Sequence, residues 1–131
     1  MALDPAALPP AVEAFLAERH LATLTTLRPD GSPHVVPVGF MWDRAAGLVR
    51  ILALSHSRKV RNLEAAPGSR AVVCQVDGRR WLTLEGAGRV SREPETLALT
   101  LAAYAARYRP PRDHPDRVTI EIAVDRVLGQ A

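Results

Sequence analysis

The sequence predicts a mainly β protein, a six-stranded antiparallel barrel with helices on its outside. Three observations carry that class. Apolar or Thr-rich runs that fit strands recur along the whole chain. Short turn signals at Arg28–Pro33 (RPDGSP), Asp43–Gly47 and Asp77–Arg80 separate neighbouring runs, which puts them in hairpin order. Helical spacing is confined to three inserted segments.

Pro9-Pro10 opens the first helix, because proline is tolerated in a first turn, and Val12, Phe15, Leu16 and Arg19 follow at helical spacing. From His20 the period changes, and His20–Leu27, rich in Thr and Leu, reads as the first strand. In the turn that follows, proline presets one dihedral angle and Asp30-Gly31 supplies a positive one. His34–Trp42 is the second strand, with Val36, Val38, Phe40 and Trp42 on one face. Pro37 cannot donate to a ladder, so this strand is an edge, or is bulged or interrupted there. Leu48–Leu54 is the third strand. Ser55–Ala66 holds a short helix, with Ser57 as N-cap and Pro67-Gly68 as its stop. Arg70–Val76 is the fourth strand, and Trp81–Ser91 is the fifth, loosened by Gly86 and Gly88. A helix over Glu93–Tyr108 places Leu97, Leu101, Tyr104 and Tyr108 on one stripe, and Arg109–Pro115 is a loop. Arg117–Val127 is the last strand, with Val118, Ile120, Ile122 and Val124 alternating.

The chain of 131 residues reads as one domain, 1–131, large enough for a core of its own. Seventeen basic residues against fourteen acidic ones give a net charge of +3, with no run of like charge. That balance suits an anionic small ligand at least as well as nucleic acid. A single cysteine, Cys74, excludes an intramolecular disulfide framework, and its mid-strand position reads as a small buried hydrophobe. The first ten residues lack the basic and apolar regions of a secretory signal, and no apolar run has the length of a membrane span, so a cytoplasmic location is expected.

Ser55–Asn62 (SHSRKVRN) contains the one lysine of the chain, Lys59, and its one asparagine, Asn62. A strand end followed by Ser-x-Ser-Arg-Lys at a helix start suits an anion: unpaired N–H groups point outward and the helix dipole favours negative charge. Ser55 and Ser57 offer hydroxyls, Arg58 a bidentate fork and Lys59 a compact charge. The alternative is a solvated basic helix face. His20, His34, His56 and His114 lack metal-ligand spacing, so no metal is expected. Arg79-Arg80-Trp81 after a hairpin turn reads either as a grip on a planar acidic ligand or as an ordinary surface turn. Arg107–Arg112 (RYRPPR) pairs arginine with tyrosine as nucleic-acid binders do, but is short and isolated, and no nucleic-acid partner is expected. No nucleophile elbow, dinucleotide fingerprint or phosphate loop occurs.

His20–Phe40 resembles the first hairpin of the pyridoxamine-phosphate-oxidase-like split β-barrels, the FMN-binding split-barrel type, and Ser57–Leu63 resembles their phosphate-binding segment. Phe15–Leu27, Gln75–Gly86, Tyr104–Arg112 and Arg126–Gly129 narrow the resemblance to bacterial biliverdin reductases that use the deazaflavin coenzyme F420. The resemblance implies a homodimer with clefts between protomers. It implies that Lys59 binds the coenzyme phosphate, with Ser57, Arg58 and Asn62 around it, and that His34, Val35, Val36 and Pro37 line the deazaflavin ring. Gln75, Arg80 and Trp81 would border a cleft, of their own protomer or of its partner, with Arg80 the catalytic candidate, stabilising charge that develops on the substrate. The implied reaction is hydride transfer from reduced F420 to the central methine carbon of biliverdin, a tetrapyrrole, giving bilirubin. An FMN-dependent oxidase or reductase on the same barrel, and a non-enzymatic carrier of coenzyme or tetrapyrrole, remain the alternatives.

Overall fold

The computed structural model describes residues 2–131. Among them eight strands and three helices follow one another as β1 (Ala2–Leu3), α1 (Pro10–Ala17), β2 (Ala22–Leu27), β3 (Pro33–Val38), β4 (Met41–Asp43), β5 (Leu48–Leu54), α2 (Arg58–Ala65), β6 (Arg70–Asp77), β7 (Arg80–Ser91), α3 (Pro94–Arg107) and β8 (Arg117–Gln130). All pairings are antiparallel, in the order β3-β2-β6-β7-β8-β5-β4, with β1 added to β8. Glycine supplies the turns: Gly31 (φ 85°) lies between β2 and β3 and Gly78 (φ 62°) between β6 and β7, where side chains other than glycine are strained. A register shift at Glu85/Gly86 bends β7. Gly86 is obligatory there, because a Cβ would fall on the Ala123 carbonyl.

The two edge strands, β3 and β4, are consecutive in the chain and joined by Gly39-Phe40. The expected single strand His34–Trp42 is therefore two strands, and with Ala2–Leu3 the number rises from six to eight. α3 causes the break. Tyr108 lies just beyond its end, and its hydroxyl accepts the Phe40 N–H at 3.2 Å and donates to His20 O at 2.6 Å. Arg107 donates to the Phe40 carbonyl, to Glu18 O at 2.9 Å and to Gln75 Oε1 at 2.6 Å. These side chains satisfy the backbone that a ladder would otherwise have paired. A Cβ on Gly39 would sit 3.0 Å from the Tyr108 ring, so the close approach uses the missing side chain. The barrel is split at this link and spanned there by side chains. Pro37 lies on the β3 edge, as its missing N–H requires.

The interior holds Leu24, Ile51, Val73, Leu82, Leu84, Ile120 and Ile122, all fully buried. Burying each such side chain is worth about 1.5–3 kcal/mol before entropy is counted. α1 closes one end with Phe15 and Leu16. Trp42 Nε1 ties α1 down by donating to Glu13 Oε1 at 2.7 Å. α2 closes the other end with Val60 and Leu63, the latter packed against Gly88. α3 lies across β4, β5 and β8, with the Thr100 and Thr119 hydroxyls 2.8 Å apart in a buried hydrogen bond.

Candidate functional site

A cleft of 460 Å³ opens beside the split. Pro37, Val38 and Gly39 form one wall and Leu52 underlies it. Tyr104 of α3 and Pro110-Pro111 face them. Proline at three of these positions makes the walls stiff, because the φ angles are locked. Four cations line the cleft: Lys59, Arg109, Arg112 and Arg117. Among the described residues no carboxylate does. An unbalanced group of this kind selects an anion.

Lys59 is the central cation. It stands in the first turn of α2, half-buried, and burial alone pulls its pKa down. Ser57 occupies the N-cap position expected of it, but its hydroxyl donates to Leu54 O at 2.8 Å rather than capping the helix. The first-turn N–H groups of α2 therefore carry no side-chain cap. Arg58 lies alongside. His34 points inward from β3 toward the same corner, opposite buried Thr26. Burial lowers its pKa first, and the charges of Arg28, Lys59 and Arg58 lower it further. Its Nδ1 is buried and has no partner among the described residues. A half-buried ammonium, two more guanidiniums, a neutral imidazole and an uncapped helix start converge on one place. An incoming phosphate would meet cations and backbone donors, with no carboxylate in the lining among the described residues.

Pro37 and Lys59 stand in the cleft lining, with Ser57 and Arg58 beside Lys59. Val36 packs against the core, Val35 faces outward and is 55% exposed, and Ser55 bonds His56 Nδ1 at 3.2 Å. Four of the expected residues lie outside the lining of this cleft in the single protomer. Asn62 is 1% exposed, and its amide donates to Thr26 Oγ1 at 3.0 Å, so it fixes α2 to β2 instead of reaching into the cleft. Gln75 is fully buried and spans Phe15 O (2.9 Å) and Arg107 (2.6 Å), which makes it a core strut. Arg80 donates to Glu18 at 2.7 and 2.9 Å and to Asp77 Oδ2, and stacks 4.4 Å over the Phe15 ring. Its guanidinium is committed within its own protomer and does not line this cleft. Trp81 faces outward from β7 opposite Val76 and Gln130, outside this cleft.

Around Arg80, Glu18, His20 and Asp77 bring possible ligand atoms within 4.8 Å of one another. Arg80 already neutralises both carboxylates. It holds the Glu18 carboxyl down at about 2, with His20 the lesser cause.

Arg109, Arg112 and Tyr104 were missed as cleft residues by sequence reading. The Arg107–Arg112 segment did stand out, but it divides its work. Arg107 and Tyr108 turn inward to hold the split, and the Pro110-Pro111 pair carries Arg109 and Arg112 along the cleft rim. Proline-stiffened arginines after a helix end were the available signal.

A split antiparallel barrel with a stiff-walled cationic cleft defines a class of proteins that bind flat, phosphate-bearing ligands. The chain belongs to the pyridoxamine 5'-phosphate oxidase family, whose model matches residues 8–131. It is 48% identical over 118 residues to an F420H(2)-dependent biliverdin reductase of Mycobacterium tuberculosis (strain CDC 1551 / Oshkosh), covering 90% of this chain and 85% of that protein. The solved structure of an F420 reductase superposes with a TM-score of 0.73 at 27% identity, covering 92% of this chain and 98% of that one. The heme storage protein HutZ of Vibrio cholerae shares the fold, with a TM-score of 0.74 at 19% identity over 93% of this chain and 94% of that one.

Proposed function

We propose that this protein is an oxidoreductase that reduces biliverdin to bilirubin with reduced coenzyme F420. The observation that carries the reading is Lys59: a half-buried cation without an acid, in a cleft that no carboxylate lines. The 48% identity to an F420H(2)-dependent biliverdin reductase supplies the coenzyme and the substrate. Lys59, Arg58 and the start of α2 would hold the coenzyme phosphate, and Ser57 would join them only by releasing its hydroxyl from Leu54 O. Pro37, Val38 and Gly39 would flank its ring as a wall that cannot collapse. When bound, the reduced deazaflavin would supply the hydride and release a proton as it is oxidised, and the substrate takes up one proton. No acidic side chain lines the cleft among the described residues, so we assign that proton to solvent. The arginines around the cleft would hold the propionates of the substrate and lower the energy of negative charge that develops on it. The same phosphate site suits FMN, a reading the family match keeps open. The visible spectrum of the purified protein separates the two, since retained FMN is yellow. Lys59→Ala should weaken coenzyme binding about tenfold or more, because a charge-assisted hydrogen bond is worth about 1.5–3 kcal/mol. Unchanged coenzyme affinity in that variant would overturn the placement.

We also propose a homodimer, acting in the cytoplasm. The outer face of β3-β2-β6-β7 supports it. Val35, Thr25 and Val72 form one row, and Pro37, Thr23, Cys74 and Thr83 the next, with Val76 beside Trp81. On β3, β2 and β6 those rows carry no charge, the first ending on β7 at Glu85 opposite Val72, and Val76 is 60% exposed. A second copy would cover this face and bring its own residues to the open side of the cleft.

A further inference from the structure

We infer that the cleft continues past Tyr104 into a second lobe that binds a carboxylate, with Arg19 and Arg109 as its recognition groups. The inference rests on the functional reading above and extends it to a subsite. The second lobe has a volume of 360 Å³ and is lined by Arg19, His20, Leu21, Tyr104, Tyr108 and Arg109. Tyr104 and Arg109 also line the Lys59 cleft, so the two lobes meet over one tyrosine ring and one guanidinium.

The charge distribution is the main argument. Five of the seventeen basic residues line the joined groove, Arg19, Lys59, Arg109, Arg112 and Arg117, and none of the fourteen acidic residues does. Five arginines outside the groove are ion-paired, Arg50 and Arg89 with Glu121, Arg70 with Glu85 and Asp125, Arg80 with Glu18 and Asp77, and Arg92 with Glu64; what sets the groove apart is that its cations share one lining without an acid. The carboxylate nearest the second lobe is Glu18, and Arg80 takes it at 2.7 and 2.9 Å. His20 on the lobe wall turns its Nε2 to that same Glu18 at 3.0 Å. Arg80 thus removes the one acid that would compete for Arg19. Tyr108 spends its hydroxyl on His20 O and Phe40, leaving the Tyr104 hydroxyl as the uncommitted donor between the lobes. Leu21, 65% exposed, and the two tyrosine rings, 5.0 Å apart, provide the apolar surface beneath the charges. A flat body over Tyr104 with a carboxylate on a short arm matches this arrangement. Two molecules of the proposed reaction carry such groups, the propionates of biliverdin and the glutamyl tail of F420.

The test compares Arg19→Ala, Arg109→Ala and the double variant with wild type. Dissociation constants would be measured for F420, biliverdin and biliverdin dimethyl ester by fluorescence and absorbance titration, with turnover alongside. An exposed charge pair contributes up to about fivefold, so the double variant should lose about tenfold or more toward its carboxylate ligand. Loss toward biliverdin, with dimethyl ester and F420 unchanged, assigns the lobe to the propionates. Loss toward F420 alone assigns it to the coenzyme tail and still establishes a carboxylate subsite. A double variant that turns over and binds all three ligands as wild type does overturns the inference while the functional reading stands. A wild-type protein that binds neither F420 nor biliverdin overturns both.

Discussion

At the scale of the residue, charge and burial divide the basic side chains into those that hold the protein together and those left for a ligand. His34 reports on the second group. Its folded pKa lies below the usual 6.5, through burial first and then the charges of Arg28, Lys59 and Arg58. The unfolded chain therefore binds that proton more tightly. The stability associated with a neutral His34 is complete above about 6.5 and declines as pH falls from there through the folded value. A phosphate beside Lys59 would offset the neighbouring cations and raise the His34 pKa. An NMR titration of its ring with and without coenzyme should show that rise, and an identical curve would place the phosphate elsewhere. Arg80 belongs to the structural group. Arg80→Ala should keep kcat within about threefold and change the melting temperature little, since exposed pairs contribute little. A hundredfold loss of kcat at unchanged melting temperature would return Arg80 to the chemistry. Part of this division was legible in the sequence. Lys59 stood out as a lone lysine at a helix start. Gln75 shares strand parity with buried Ala71 and Val73, which was enough to place it inside. That Glu18 meets Arg80 was not readable, because the two are brought together only by the packing of α1.

At the scale of the element, local pattern specified most strands and tertiary contact set the exception. β5 spans Leu48–Leu54 as expected, because its alternation is clean and glycine precedes it. α1, β6, β7 and α3 differ from expectation by a residue or two at their ends, where pattern is weakest. β3 and β4 could not be separated by pattern, since Val36, Val38, Phe40 and Trp42 continue the alternation across the break. The cause lies at Arg107 and Tyr108, far along the chain, which replace ladder bonds at Phe40. Tyr108→Phe removes the donor to His20 O and the acceptor for the Phe40 N–H, so it should cost about 1–3 kcal/mol in chemical denaturation. A smaller cleft change should accompany it, visible as weaker coenzyme binding, because Gly39 forms the cleft wall. Full stability in Tyr108→Phe would mean that the link at Gly39-Phe40 holds without α3.

At the scale of the molecule, the split places a stiff cationic cleft next to a sheet face whose β3, β2 and β6 rows at Val35 and Pro37 carry no charge. The barrel, the edge position of β3 and the basic start of α2 were foreseeable, whereas the arginine-lined rim needed the packed position of the Arg109–Arg112 loop. If a second copy covers the outer face, Val72→Lys should shift the protein toward monomer in light scattering, because a lysine there would lose its water in the interface. An unchanged mass would remove that face from the assembly. The central claim is tested most directly by mixing the purified protein with reduced F420 and biliverdin without oxygen and recording the spectrum. The expected result is biliverdin loss matched one for one by bilirubin gain and F420 oxidation, slowed in Lys59→Ala at limiting coenzyme. Coenzyme binding with no bilirubin formed, or retained FMN and no affinity for F420, would contradict it.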